Sequence, residues 1–243
     1  MSVPVLVFGA HGGIGEALAR RLAASGQDLF LTARDAATLS DLGSELSART
    51  GSCDVLDSDQ IQAVVEEADA GEGLAGLAFC VGNIVLKPLK ATTEADFVDC
   101  FRLNTVAAAM AVKAAALGLK KARGAVVLFS TVAVQQGFSN HSVIVAAKGA
   151  VEAMTRSLAS ELAPEVRVNC IAPSVHRTAI AEKLTGNKVL ADGLAAMHPI
   201  PRLGEPDDAA AAAAFLLGAD AGWVTGQVLA VDGGRAVIRG KGQ

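Results

Sequence analysis

Between residues 9 and 15 the chain reads Gly9-Ala10-His11-Gly12-Gly13-Ile14-Gly15, directly after the apolar run Val3–Phe8. Glycines so spaced serve phosphate chemistry. One lets the backbone turn sharply, one lets it approach an anion, and one lets the following helix pack close to the sheet. The N–H groups at that helix start are then free to bind a pyrophosphate. His11 lies inside the loop, beside the same anion. A second apolar run ends Leu31-Thr32-Ala33-Arg34. An acidic side chain at its tip would accept hydrogen bonds from a ribose. The place holds Ala33, and the adjacent Arg34 offers a guanidinium suited to a ribose 2′-phosphate. Loop and arginine together describe a dinucleotide site with NADP favoured over NAD.

Such a loop needs a strand before it and a helix after it, and the whole chain keeps that rhythm. Apolar runs of strand length occur at Val3–Phe8, Leu29–Thr32, Ala48–Cys53, Gly76–Val81, Ala125–Ser130, Val166–Ile171 and Gln227–Val231. They read as apolar on both faces, as strands inside a parallel sheet must be. Between them, Gly13–Ser25, Ala36–Leu46, Ser58–Ala70, Glu94–Arg123, His141–Leu162 and Pro206–Leu217 carry helical periodicity. The alternation predicts an α/β fold of three layers, a Rossmann-like doubly wound parallel sheet flanked by helices, in one domain over residues 1–243. Residues 174–204 break the rhythm, with scattered Gly186, Gly193, Pro199 and Pro201 after a strand end. They read as an irregular lid over a substrate.

Composition narrows the partners. Of 243 residues, 51% are hydrophobic and 19% charged, enough apolar mass for a large core and too much for a disordered chain. The net charge of −4 and the absence of a basic run with interleaved aromatics argue against nucleic acid. The N-terminal residues read as a strand without a basic leader, and charge-free runs such as Ala209–Leu217 fall short of the roughly 20 residues that span a bilayer. A cytoplasmic protein with no membrane partner is expected. The cysteines (Cys53, Cys80, Cys100, Cys170) show no CxxC spacing and read as buried thiols, with no metal site. There is no tyrosine.

Further segments complete a pattern. Cys53-Asp54-Val55 follows the third strand, Phe79-Cys80-Val81-Gly82 the fourth, and Asn104 closes Phe101-Arg102-Leu103-Asn104. Pro173-Ser174-Val175-His176-Arg177-Thr178 follows the sixth strand. Gly204-Glu205-Pro206, Val224-Thr225-Gly226-Gln227 and Val231-Asp232-Gly233-Gly234 stand near the end. With the glycine loop, these segments resemble the short-chain dehydrogenase/reductase family over essentially the whole chain. One departure is at Phe79-Cys80-Val81-Gly82, where the family usually has Asn-Asn-Ala-Gly.

The resemblance implies site residues. For the cofactor they are Gly9, His11, Gly13, Ile14, Gly15, Arg34, the adenine-contacting Asp54 and Val55, Gly82, and Pro173, Val175 and Thr178 flanking the nicotinamide. The family's chemistry rests on an Asn-Ser-Tyr-Lys tetrad. Asn104 matches the asparagine, and Lys148, in Ala146-Ala147-Lys148-Gly149, matches the lysine that also holds the ribose. The serine place holds Thr131, next to Ser130. The tyrosine place, four residues before Lys148, holds Ile144, which has no proton to give. Enoyl reductases of the same superfamily set their tyrosine seven residues before the lysine, where this chain has His141. Positions 141, 144/145 and 148 share a helix face, with His141 about 10 Å from Lys148 along the axis. An imidazole donates a proton near neutrality, so His141 is the candidate acid and His176 a second. The expected activity is an NADP(H)-dependent oxidoreductase moving hydride to or from a small carbonyl, enone or imine with non-standard proton donation. The alternative is a nucleotide-binding relative without turnover, a redox sensor or an inactive partner subunit. The resemblance also implies a homo-oligomer, tetramer or dimer.

Overall fold

The computed structural model describes residues 3–238. The strands are β1 (Val5–Phe8), β2 (Leu29–Ala33), β3 (Arg49–Ser52), β4 (Gly76–Phe79), β5 (Ala125–Phe129), β6 (Arg167–Pro173) and β7 (Val228–Val231). They form one parallel seven-stranded sheet in the order β3-β2-β1-β4-β5-β6-β7. The helices are α1 (Gly13–Ala24), α2 (Ser40–Leu46), α3 (Ser58–Asp69), α4 (Glu94–Phe101), α5 (Ala107–Ala122), α6 (Ala133–Gln136), α7 (Ser142–Leu162), α8 (Glu182–Thr185), α9 (Lys188–Ala196) and α10 (Pro206–Leu217).

Strand side chains alternate between two cores, which is why the central strands are apolar at every position. Leu6 and Phe8 of β1 and Val126 and Leu128 of β5 pack with α3, α5 and α7. Val5, Val7, Val127 and Phe129 pack with α1 and α10 on the opposite face. The edge strand β3 departs from that reading. Only Gly51 is buried in it, and Arg49 lies over the Phe30 ring with its guanidinium bonded to the carbonyls of Glu67 and Ala68.

The chain leaves β1 toward β2 and reaches β4 on the other side, so a crevice opens where β1 and β4 end. The glycine loop fills its floor. Gly9 has φ +76°, and a Cβ there would lie 3.0 Å from Val81 Cγ2 and 3.2 Å from the Val81 nitrogen. A Cβ on Gly15 would be driven into the Gly9 carbonyl oxygen, and one on Gly13 would lie 3.0 Å from Thr178 Cγ2. At Gly9 and Gly15 the positive φ and the backbone contact call for glycine.

Other expectations are corrected. Residues 174–204 contain α8 and α9 rather than an irregular chain, with Asn187 capping α9 through its side-chain oxygen. The predicted helix Ala36–Leu46 opens as a tighter turn over Ala36–Leu39 before α2 begins. The predicted helix Glu94–Arg123 contains a π-helical turn, Arg102–Val106, between α4 and α5. The whole stretch Glu94–Ala122 is long and apolar enough to cross a bilayer. Part of that apolar surface, Ala107, Ala111, Val112, Ala115 and Leu119, packs beneath the sheet, while Val98, Phe101, Val106 and Leu117 are exposed.

Candidate functional site

Two polar side chains converge where β4 and β5 end. Lys148 projects from the second turn of α7 and is 7% exposed, and its ammonium donates to the Phe129 carbonyl at 2.9 Å. Asn104, 1% exposed, sits in the π-helical turn. Such turns shift the helix register and re-aim a side chain. Its amino group donates to the Cys100 carbonyl (2.9 Å) and to Asn83 Oδ1 (2.8 Å), which leaves Oδ1 pointing the other way. That oxygen is buried and has no partner among the described residues. A Cβ on Gly82 would lie 2.8 Å from Asn104 Oδ1 and 3.2 Å from Lys148 Nζ, so both atoms face the same glycine. Burial lowers the Lys148 pKa to about 8, since the charged form loses its hydration. The Thr105 hydroxyl donates to the Ala147 carbonyl at 2.9 Å and fixes the two helices against each other.

The neighbouring hydroxyls divide their tasks. Ser130 Oγ donates to Glu152 Oε1 at 2.7 Å, which pins α7 to β5. Thr131 Oγ1 accepts from the Ala133 N–H at 3.3 Å and opens α6. Ile144 is buried in an apolar cluster with Cys100, Val143 and Ala147, against Val85, Leu86 and Phe97.

His141 stands at the start of the helix that carries Lys148, its carbonyl accepting the Val145 N–H at 2.9 Å. The helix begins at Ser142, and His141 is its cap residue, with φ −103° and ψ 3°. Its Nδ1 bonds the Ser139 carbonyl at 2.7 Å, and its ring meets Phe138 edge-on at 5.4 Å. A carbonyl only accepts, so Nδ1 carries the hydrogen and Nε2 is the nitrogen left for a ligand. His176 is buried against Gly204 with Nδ1 on the Ser174 carbonyl at 2.9 Å, and burial lowers its pKa. A proton is hard to keep on such a ring, which weighs against His176 as an acid.

At the far end of the crevice, His11, Ala33, Arg34, Asp35 and Thr38 line a cleft of about 370 Å³. Asp35 turns its carboxylate onto the Ala37 N–H at 2.9 Å, capping the turn behind it. Asp54 accepts from the Leu56 N–H at 3.0 Å, Val55 is a core residue, and Ile14 packs against the α1 side of the core. Pro173 ends β6 with its carbonyl on the Val132 N–H at 3.1 Å, and the Val175 carbonyl accepts from the Gly204 N–H at 3.0 Å. These bonds fold the segment back so that Thr178 covers Gly13. Among the described residues no group of His, Cys, Asp and Glu is placed to hold a metal ion.

Asn83 and Glu152 escaped the sequence reading. A signal for Asn83 existed, a lone amide in the apolar run Val81-Gly82-Asn83-Ile84-Val85. Removing its carbonyl by Asn83→Ala leaves the buried Asn104 amino group without its 2.8 Å acceptor. The expected cost is about 1–2 kcal/mol, read as a lower denaturant midpoint at unchanged slope. An unmoved midpoint would mean that Asn83 does not hold Asn104.

Comparison with known proteins identifies the family and agrees with the fold. The family model described as Enoyl-(Acyl carrier protein) reductase matches residues 9–236. Galactitol 2-dehydrogenase (L-tagatose-forming) of Cereibacter sphaeroides is 35% identical over 240 residues, covering 95% of this chain and 94% of that protein. A protein of Xanthobacter autotrophicus named Inactive 2-(S)-hydroxypropyl-CoM dehydrogenase 2 is 34% identical over 230 residues, covering 91% of this chain and 100% of its own. The structure of a gluconate 5-dehydrogenase from Burkholderia cenocepacia in complex with NADP and tartrate superposes with a TM-score of 0.91 at 25% identity, over 98% of this chain and 97% of that one. The fold and these relatives define a class of oxidoreductases. The chain belongs to the short-chain dehydrogenase/reductase family.

Proposed function

We propose that this protein, one nucleotide-binding domain, is an NADP(H)-dependent oxidoreductase for a small carbonyl, enone or imine, with a proton donor other than tyrosine. The observation that carries the reading is the convergence of Asn104 Oδ1 and Lys148 Nζ on Gly82, beside the glycine loop. The crevice fits a dinucleotide. The packing at Gly15 and the positive φ of Gly9 require glycine, Gly13 lies close under Thr178, and the buried Asn104 oxygen calls for a donor. Gly9, Gly13, Ile14 and Gly15 would hold the pyrophosphate, Arg34 and His11 the 2′-phosphate, and Asp54 and Val55 the adenine. Gly82, Lys148, Pro173, Val175 and Thr178 would hold the ribose and nicotinamide. The nicotinamide, when bound, supplies or accepts the hydride.

The chain's own groups then position and protonate. Thr131 directs a hydroxyl at the substrate oxygen or nitrogen, and Asn104 holds a water through Oδ1. Lys148, with its pKa near 8, exchanges protons close to neutrality. Ile144 stands in the place of the family's tyrosine, and no tyrosine exists elsewhere to replace it. The proton comes from Nε2 of His141 in its imidazolium form, Nδ1–H staying on the Ser139 carbonyl and the ring returning to its neutral tautomer. His141→Phe should lower turnover on a conjugated enone by about 10²–10⁴-fold without changing nucleotide affinity. Full turnover in that variant would remove His141 from the reaction.

A second reading, nucleotide binding without turnover, is favoured by the buried apolar packing of Ile144 and by the inactive Xanthobacter relative. NADPH oxidation across a panel of aldehydes, ketones, enones and imines separates the two. Assembly as a homo-oligomer is supported by the exposed Val98, Phe101, Val106 and Leu117 along α4 and α5 and by the fully exposed Trp223. Residues 174–204 would cover the substrate, and a cytoplasmic location accompanies the reading.

A further inference from the structure

We propose that Ser174 and His198 form a second reactive site, a nucleophile–base pair that takes the acyl group of a small ester. Ser174 follows β6, between Pro173 and Val175 and where the family resemblance has glycine, and His198 follows α9; neither side chain has a task in the site above. The Ser174 hydroxyl lies 2.8 Å from His198 Nε2, and His198 Nδ1 lies 2.8 Å from the Leu194 carbonyl. A carbonyl oxygen only accepts. Nδ1 therefore carries the ring hydrogen, and the Nε2 lone pair receives the Ser174 O–H. Nucleophile, base and orienting group are thus in hydrogen-bond sequence, the arrangement that activates a serine.

The surroundings keep the pair in place and leave room before it. His198 is 4% exposed, whereas Ser174 is only partly buried. Both line a cavity of about 350 Å³ whose apolar wall includes Ile200, Leu229 and Val231. That size suits a small ligand with an apolar acyl part. The Ser174 backbone is tied on both sides, its N–H to the Val231 carbonyl at 3.3 Å and its carbonyl to His176 Nδ1 at 2.9 Å. The cavity is lined by β7 and by residues that follow β6, and no residue of β5 or α7 lines it.

The chemistry closes without a further reactant. Ser174 Oγ forms a bond to the acyl carbon, and the bond to the leaving oxygen breaks. The serine proton passes to His198 Nε2 and on to the leaving oxygen. Water then adds to the acyl carbon, giving its proton to Nε2, and the proton returns to Oγ as the acid departs.

The test uses 4-nitrophenyl acetate with the full chain, in the absence of nucleotide. Nitrophenolate release and the acetyl increment on the peptide carrying Ser174 are followed together. Wild type should acetylate at Ser174. Ser174→Gly, which installs the family's own residue and keeps the fold, should lower release by about a hundredfold, and His198→Gln by a similar factor. Equal release from wild type and Ser174→Gly, or acetylation confined to lysines, would overturn the proposal. So would variants that lose thermal stability while no acyl–serine forms, since Ser174 and His198 would then be a clamp between lid and sheet.

Discussion

Gly15→Ala abolishes nucleotide binding, an expected loss of at least about a hundredfold in affinity. The added Cβ meets the Gly9 carbonyl oxygen, with the Gly9 carbonyl carbon at 3.0 Å and Ala10 Cα at 3.1 Å behind it. All three are backbone atoms, so no side-chain rotation relieves the contact. The helix start must move away from the loop, and the N–H groups that would bind the pyrophosphate move with it. The strain also costs about 1–3 kcal/mol of stability. Gly193→Ala in α9 is the matched control. Nothing lies within 4 Å of a Cβ there, and a helix-interior alanine adds about 1 kcal/mol. Titration of both variants with NADPH, beside their denaturation curves, checks the prediction. Unchanged affinity in Gly15→Ala would mean that the loop does not bind phosphate.

The second large effect concerns Lys148, where burial sets a pH dependence. In the unfolded chain this lysine keeps its proton to about 10.5, whereas in the fold it releases it near 8. Between those values the unfolded state binds more protons, so this group makes stability rise with pH. Below 8 both states are charged, and the full cost of burying the ammonium is felt, on the order of 3 kcal/mol. Lys148→Met removes that cost and gives up the bond to the Phe129 carbonyl, worth about 1 kcal/mol. The variant should therefore be more stable than wild type at pH 7, with an advantage that shrinks as pH climbs from 8 toward 10.5. Taking the difference between the two proteins cancels titrations remote from Lys148; the thiols of Cys80 and Cys170, which feel its charge, are pushed by burial up to about 12 and so lie above this range. A constant difference across that range would mean that Lys148 keeps an ordinary pKa. A lysine buried at such a cost is itself an argument for its use in the site.

The two regions differ in how far their sequences disclosed them, and the reason is range. β1, β4 and β5 were legible because a central parallel strand must be apolar on both faces, a property written in four or five consecutive residues. The glycine loop was legible because its backbone geometry is demanded locally. The π-helical turn at Arg102–Val106 was not, since its one-residue shift is stabilised from outside, by Thr105 reaching Ala147 and by Asn104 reaching Asn83. At His141 the spacing located the residue but not its bonds: its carbonyl takes the first helical bond, from the Val145 N–H, while the Nδ1 bond to the Ser139 carbonyl sets the ring. The order in 174–204 was hidden because α8 and α9 are short, and Ser174 meets His198 only through tertiary folding.

The most direct measurement is a fluorescence titration of the protein with NADPH and NADH, repeated on Arg34→Ala. Saturable binding in the micromolar range is expected, tighter for NADPH by about tenfold or more, with that preference erased in the variant because the cleft at Arg34 and His11 no longer pairs with a 2′-phosphate. Failure to bind either nucleotide would contradict the account at its centre.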